Sequence, residues 1–189
     1  HGPLARVEIG QNKVFGDDYI YSIAGWLTSK NASTLNENRD AGLDGVQGKL
    51  NENVGLDPFA FSLHYFEGHY KPIGNRQDVL ATLNNSDHNK PSTNLYNGNI
   101  PNMIVSMRDL DGKPMDVMDY QFQYDQLQRI KKQTPLWDKS GNSPLTNNEF
   151  RNTSNQLGDF NLETTFDGNG NLMTLERNGT DNYLKMDDF

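Results

Sequence analysis

The run YQFQYDQLQRI at residues 120–130 carries the clearest strand pattern in this chain. Its first five residues alternate aromatic and polar side chains, which is the period of two typical of a strand with one buried face. The alternation stops after Asp125, and an aliphatic residue returns at Ile130. The stretch therefore predicts a strand that turns and pairs with its own continuation.

The same spacing occurs at residues 21–27 and 166–172. In each of the three copies an aromatic residue is followed four residues later by a turn position and six residues later by Leu or Ile. Spacing that recurs in this way indicates an internal repeat. The residues predicted to have structural roles in the repeat are Tyr21 and Gly25 in the first copy, Tyr124, Asp125 and Arg129 in the second, and Phe166, Asp167, Gly170 and Asn171 in the third.

This pattern resembles the YD repeat of the RHS (rearrangement hotspot) family. FDGNGNL at the third copy is similar to the common form YDxNGN(I/L), and YDQLQRI at the second is similar to YDxLxRI. The chain departs from the family pattern at Ser22, Trp26 and Gln128, so the turn chemistry is expected to vary between copies. Further blocks resemble RHS proteins of the Bacteroidetes type at residues 2–9, 25–27, 59–73 and 95–100.

Strands alternate with turns and polar connections along the whole chain, and no long amphipathic helix is detectable. The predicted fold is all-β, a meandering antiparallel sheet of repeat hairpins. Alternating apolar residues at 59–65 predict a further strand, which continues irregularly at 70–73. Asn97-Gly98 predicts a hairpin that joins strands at 95–100 and 103–107.

A single β region, 1–189, is expected, with solvated loop insertions at about 30–57, 75–94 and 134–158. The resemblance implies that this region is an interior fragment of a larger RHS-type β-shell, or cocoon. Short amphipathic hairpins suit such a shell, because each added repeat covers the open edge of the one before it.

Composition excludes several classes of function. The net charge is -8 and the pI about 4.9, which disfavours binding to nucleic acid, whose phosphates require a basic surface. There are no cysteines, which excludes disulfides, thiol catalysis and thiolate metal sites. No apolar stretch approaches the roughly 20 residues that a membrane-spanning helix needs.

Three acidic or histidine patterns suggest metal or catalytic sites, and each is better explained otherwise. The alternating oxygens of 167–171 suggest a calcium loop, but an EF-hand requires Gly and Glu at positions held here by Leu172 and Asn178. His64 and His69 flank Glu67 without zinc-binding spacing, so we expect two surface histidines. The acidic pairs suitable for a glycosidase lie in turn-like or terminal segments, at Asp17-Asp18, Asp109 with Asp111, and Asp187-Asp188.

Asp57-Pro58 is a further motif of interest, because RHS proteins carry an autoproteolytic Asp-Pro at the end of their core. In this chain it precedes a core strand and lacks the glycine pattern that follows in the family. We interpret it as a junction between a loop and a strand. No catalytic residue, metal ligand or cofactor is predicted, so the chain is not expected to be an enzyme.

The resemblance implies a non-catalytic shell segment of a secreted or cell-surface bacterial protein, a polymorphic toxin used in interbacterial competition. Its partners would be the remainder of its own shell, an enclosed C-terminal toxin or effector, and outer-membrane export machinery. The alternative is a cell-surface carbohydrate-binding or adhesion module that grips glycans with Trp26, Tyr70 and Trp137. A secreted glycosidase is a third possibility and requires two convergent carboxylates.

Overall fold

The computed structural model describes residues 2–73, 82–84, 94–137, 149–151, 159–179 and 185–188. These residues form an all-β fold, and their one helical element is a three-residue 3-10 turn, Glu37–Arg39. The strands are β1 (Arg6–Ile9), β2 (Phe15–Tyr21), β3 (Leu27–Lys30), β4 (Phe59–His64), β5 (Thr82–Asn84), β6 (Asn102–Met107), β7 (Met118–Tyr124), β8 (Ile130–Trp137), β9 (Glu149–Arg151), β10 (Leu162–Phe166), β11 (Leu172–Asn178) and β12 (Lys185–Asp188).

Ten strands pair in chain order into one antiparallel sheet, β1-β2-β3-β4-β6-β7-β8-β10-β11-β12. The two strands that the order skips, β5 and β9, pair with each other in parallel. The predicted all-β antiparallel meander is therefore confirmed. Among the described residues, no helix has the length and apolar character to cross a bilayer.

The hairpins β2–β3, β7–β8 and β10–β11 share one register. In each, the aromatic residue of the repeat pairs with the aliphatic residue six positions later, which gives the pairs Tyr21–Leu27, Tyr124–Ile130 and Phe166–Leu172. In each, a β-bulge next to this pair adds one residue to the returning strand. The spacing recognised in the sequence is thus the spacing of one hairpin geometry.

The aromatic residues of the three hairpins lie on the same face of the sheet. Paired residues share a face, and side chains alternate along each strand. One cross-strand row runs through Tyr19, Lys30, Phe61, Val105 and Met118, which places Tyr21 and Tyr124 on its face. On β10, Leu162 and Phe166 share a face. Leu162 pairs with Gln133 on β8, and Gln133 pairs with Phe122 on β7, so Phe166 lies on the same face as Tyr124.

This aromatic face is half-buried, and the fully buried face is built from other residues. The opposite cross-strand row consists of Ser29, Ser62, Ile104, Asp119 and Leu136, each at most 5 % exposed. On β4 the aromatic face is half-buried, since Phe59, Phe61 and Leu63 are intermediate, while Ala60 and Ser62 on the opposite face are buried. Small side chains here let neighbouring backbone approach the sheet closely.

The first part of the insertion at 30–57 is that neighbouring backbone. It is buried, which corrects the prediction of a solvated loop, whereas residues 47–50 are exposed as predicted. Ala32 to Leu35 are all buried, and the Ser106 hydroxyl on β6 donates to the Ser33 carbonyl oxygen over 3.0 Å. The Asn31 side chain accepts from the Asp18 backbone N–H and donates to the Phe59 carbonyl oxygen. The insertion is a loop, as expected, but its first part belongs to the core.

Four other predictions about loops and strands need correction. Residues 95–100 form no strand, because both edges of β6 are occupied by β4 and β7, and Asn97-Gly98 makes only a bend. Residues 70–73 are not a strand either. The insertion predicted at 134–158 begins too early, since β8 extends to Trp137, and the insertion predicted at 75–94 includes β5. Residues 138–148 lie outside the described part of the chain.

Candidate functional site

The turn of the central hairpin is held by the side chain of Asp125. One of its carboxylate oxygens accepts hydrogen bonds from the backbone N–H groups of Leu127 and Arg129, both at 2.9 Å. The other accepts from the Arg129 guanidinium over 2.6 Å. These bonds to the ionised form lower the pKa of Asp125 below its usual value. Gln128 takes the left-handed conformation, with φ at 64°.

The third copy repeats this arrangement, with the Asn171 amide in the place of the Arg129 guanidinium. Asp167 accepts from the backbone N–H groups of Asn169 and Asn171 and from the Asn171 side-chain amide. Its pKa is lowered for the same reason, with the Asn171 amide as the main cause. Gly170 occupies the left-handed position with φ at 92°, where the absence of a Cβ removes the steric cost. In the first copy Ser22 replaces the aspartate, and its hydroxyl accepts from the Trp26 backbone N–H.

A fourth copy of the turn escaped the sequence analysis, which placed Asp109 and Asp111 only in a turn-like segment. Asp109 accepts from the backbone N–H groups of Asp111 and Lys113, and Gly112 has φ at 78°. The flanking residues Arg108 and Pro114 form an antiparallel β-bridge, and they are six residues apart, like the aromatic and aliphatic residues of the other copies. Arginine holds the aromatic position here, so the aromatic signal on which the repeat was recognised is absent.

The fifth residue after the repeat aromatic contacts the next strand along the sheet. In the central copy this residue is Arg129, whose guanidinium carbon lies 4.2 Å from the centroid of the Phe166 ring. In the first copy it is Trp26, whose ring centroid lies 4.9 Å from that of Tyr65. The contact therefore joins successive units of the sheet with two different side chains.

A second constellation, the carboxylate cluster, was missed by the sequence analysis. It consists of Asp18 on β2, Asp40 and Asp44 in the insertion, and Asp57 before β4, all buried. Arg6 on β1 forms ion pairs with Asp18 and Asp44, the latter at 2.8 Å. Its members are far apart in sequence, so no local spacing reveals them.

Burial and mutual repulsion shift the acidities within the cluster. Burial, with the nearby charge of Asp40, raises the pKa of Asp18 to about 6. Burial also raises the pKa of Asp40. Burial, together with the charge of Asp40, raises the pKa of Asp57. Asp40 and Asp57 are close enough to share a hydrogen bond when one of them is protonated. The Asp57-Pro58 junction is thus a loop-to-strand connection, as predicted, but its aspartate is an interior residue.

Two glycines shape the space around the Arg6 guanidinium. A Cβ atom at Gly16 would collide with this guanidinium, and one at Gly42 would collide with the guanidinium and the Asp18 carboxylate. Any larger residue at either position would push the charged groups apart. The cluster therefore depends on backbone that approaches the ionic side chains directly.

Of the two predicted surface histidines, His69 is buried and His64 is half-buried. His69 is 8 % exposed and its Nδ1 lies 2.7 Å from the Phe66 carbonyl oxygen. The His64 ring packs edge-on against that of His69, and burial lowers the pKa of His64 to about 3, so this ring is neutral. The aromatic residues Phe66 and Tyr65 also pack against His69, which makes the group part of a packed corner.

Two of the three acidic pairs considered for glycoside hydrolysis have described side chains, and neither of these two pairs converges. Asp17 pairs with Lys30 at 2.9 Å, whereas Asp18 points to the opposite face of β2 toward Arg6. Asp109 caps the backbone of its own turn, in which Asp111 is one of the donors. The side chains of Asp187 and Asp188 lie outside the described part of the molecule, as does that of Trp137.

No protein-family model matches the chain, and neither a curated protein nor a solved structure matches it.

Proposed function

We propose that this chain is a non-catalytic wall segment of an RHS-type β-shell in an exported bacterial protein. In this proposal the shell encloses a C-terminal toxin or effector and delivers it in interbacterial competition. The observation that carries the proposal is the recurrence of one capped turn, at residues 21–27, 108–114, 124–130 and 166–172, along a sheet whose strands pair in chain order.

A sheet built in this way can be lengthened without altering the part already formed. Each hairpin pairs only with its neighbours, and contacts such as Arg129 with Phe166 act between adjacent units. The two outermost strands of the sheet, β1 and β12, each have one edge without a partner strand among the described residues. Such edges accept further strands, which is how a repeat sheet grows into a wall.

The half-buried aromatic face gives the wall an apolar surface. Phe59 and Phe61 lie 5.9 Å apart on this face, and Met107 on the neighbouring strand is 37 % exposed. An apolar lining suits contact with a cargo polypeptide that is not fully folded. Such a cargo exposes apolar surface, and contact with an apolar wall removes that surface from water. The work of such a surface is to hold and insulate, which requires no catalytic group.

Protection of the cargo from protease tests the proposal. We would express the full parent polypeptide with its C-terminal region and digest it under native conditions. The C-terminal region is expected to survive digestion while the shell is intact. A double variant, Asp125→Ala with Asp167→Ala, removes two turn caps and is expected to expose the cargo to protease. The matched control is Asp111→Ala, because Asp111 contributes only its backbone N–H to a cap and should leave the cargo protected. Digestion of the C-terminal region in the unaltered protein at the rate of a free domain would contradict the proposal.

Carbohydrate binding or adhesion is the second candidate function, supported by one exposed aromatic stack. Tyr96 is 71 % exposed, and its ring stacks on that of Phe66 with centroids 4.7 Å apart. Of Trp26, Tyr70 and Trp137, the three residues first considered for this role, Trp26 instead packs on Tyr65. Glycan-array binding that disappears in Tyr96→Ala and persists in Trp26→Phe would favour this function over the shell.

A further inference from the structure

The carboxylate cluster holds more negative charge than the described residues around it compensate. Among those residues its ion pairs come from Arg6, one cation for four carboxylates. Arg108 lines the same cavity and adds a second positive charge, although its guanidinium donates to the backbone carbonyl oxygens of Asp57 and Gly112. Two cations then face four carboxylates. Burial of ionised carboxylates without a counter-charge is strongly unfavourable, so the site calls for protons or a cation.

Three oxygen atoms in this cavity have no hydrogen-bond donor among the described residues. They are Asp40 Oδ1, Asp57 Oδ1 and Thr34 Oγ1, in side chains that are 6 %, 8 % and 0 % exposed. Thr34, Asp40 and Asp57 line the cavity together with Asp44. A proton shared by Asp40 and Asp57 satisfies one oxygen of each but leaves Thr34 Oγ1 without a partner, whereas one cation in the cavity can contact all three oxygens. Buried polar atoms are almost always satisfied, so the three together point to an electropositive ligand. The Thr34 hydroxyl is independent evidence, because it is not part of the carboxylate cluster.

We propose that the carboxylate cluster binds one divalent cation, Ca²⁺, at the edge of this cavity, through oxygen ligands of Asp18, Asp40 and Asp44 together with Asp57 from the cavity wall. One carboxylate oxygen from each of the first three lies within 4.8 Å of the others. Two oxygens bound to the same calcium at about 2.4 Å can be at most about 5 Å apart, so a single ion can contact all three. Asp57 and Thr34 provide further oxygens from the cavity wall.

The chemistry of the donors selects calcium over other common ions. All the candidate ligands are carboxylate or hydroxyl oxygens, which hard cations prefer, and no sulfur or imidazole takes part. Magnesium demands near-ideal octahedral geometry and retains most of its waters, whereas calcium accepts irregular sets of oxygen ligands. A bound ion would join β2, the insertion and the start of β4, three segments that the Asn31 side chain also connects.

Thermal unfolding with added CaCl₂ tests the site. At pH 7.5, in protein first treated with EDTA, 2 mM CaCl₂ is expected to raise Tm by about 5 °C or more, because a ligand that binds only the folded state stabilises it. Titration calorimetry should show one Ca²⁺ per chain, and 2 mM MgCl₂ should give a clearly smaller shift in Tm. An unchanged Tm with no binding heat, or equal shifts with both metals, would overturn the proposal.

Two isosteric variants identify the ligands. Asp40→Asn and Asp57→Asn each resemble the protonated carboxyl, so both are expected to fold without metal and to lose at least 90 % of the calcium-dependent shift in Tm. Asp111→Asn, an exposed aspartate outside the cluster, is the matched control and should respond like the unaltered protein. A full response in both cluster variants would overturn the proposal. If either variant fails to fold, the stoichiometry measured on the unaltered chain decides, since a value of zero overturns it as well.

Discussion

The guanidinium of Arg129 lies over the ring of Phe166, 4.2 Å from its centroid, while its Nε donates to Asp125 over 2.6 Å. One side chain thus closes the turn of the central hairpin and contacts the aromatic residue of the next. Turn geometry and the packing between neighbouring hairpins are coupled through this residue. The coupling explains why a repeat of this kind stacks in a fixed register.

Arg129→Ala should destabilise the protein by about 1–2 kcal/mol, because it removes both a cation–π contact and a charge-assisted hydrogen bond. Lys131→Ala, an exposed cation two residues later, should change the free energy of unfolding by less than about 0.5 kcal/mol. Urea denaturation of the two variants measures the difference. Equal losses would mean that Arg129 acts only as a surface charge.

Gly170→Val should be far more harmful than Gly168→Val. Gly170 has φ at 92°, a conformation that costs a β-branched residue about 1–3 kcal/mol, and Gly168 has no positive φ. Among the described residues, an added Cβ at Gly168 would have no neighbour within 4 Å, and one at Gly170 would lie 3.5 Å from Arg129, an ordinary contact distance. Backbone strain is therefore the main difference between them, and equal stability of the two variants would show that the turn is misassigned.

Asp109→Ala should cost about 1–2 kcal/mol of folding stability, because the carboxylate accepts two backbone N–H bonds in the fourth copy of the turn. Asp111→Ala in the same turn is the control, since Asp111 contributes only its backbone N–H to the cap. Chemical denaturation of both variants gives the comparison. If Asp111→Ala were the more damaging change, the fourth turn would not share the chemistry of the others.

The hairpins could be predicted from the sequence because their signal is local. The pairing of Tyr124 with Ile130 is specified by a short pattern: an aromatic residue, a turn position four residues later and an aliphatic residue six residues later. The carboxylate cluster could not be predicted, since Asp18, Asp40 and Asp57 meet only after three separate segments have folded together. The Asn97-Gly98 hairpin was wrong for a related reason: local turn propensity does not reveal that both edges of β6 are already paired.

Asp119 should make stability fall as pH rises from about 4 to about 6. Burial raises the pKa of this carboxyl from 3.8 to about 6, and its hydrogen bonds from Asn102 and Gln121 only partly oppose the shift. The folded protein therefore holds a proton that the unfolded chain releases at lower pH, and ionisation between these values costs up to about 3 kcal/mol.

Asp119→Asn should remove this part of the pH dependence. The difference in free energy of unfolding between the unaltered protein and the variant, measured by urea denaturation from pH 4 to pH 7, isolates Asp119 from other groups that titrate in the same range. We expect the unaltered protein to lose stability relative to the variant as pH rises. Parallel curves would show that Asp119 is ionised in the folded state throughout this range.

The most direct test of the central claim is a cryo-electron microscopy map of the parent polypeptide that contains this chain. The account predicts a closed β-shell in which the ten-stranded sheet forms part of the wall, with density for a C-terminal cargo inside. The hairpins at 21–27, 124–130 and 166–172 should follow one another along that wall in chain order. A map in which this sheet forms a separate domain, with no enclosed cavity, would contradict the account.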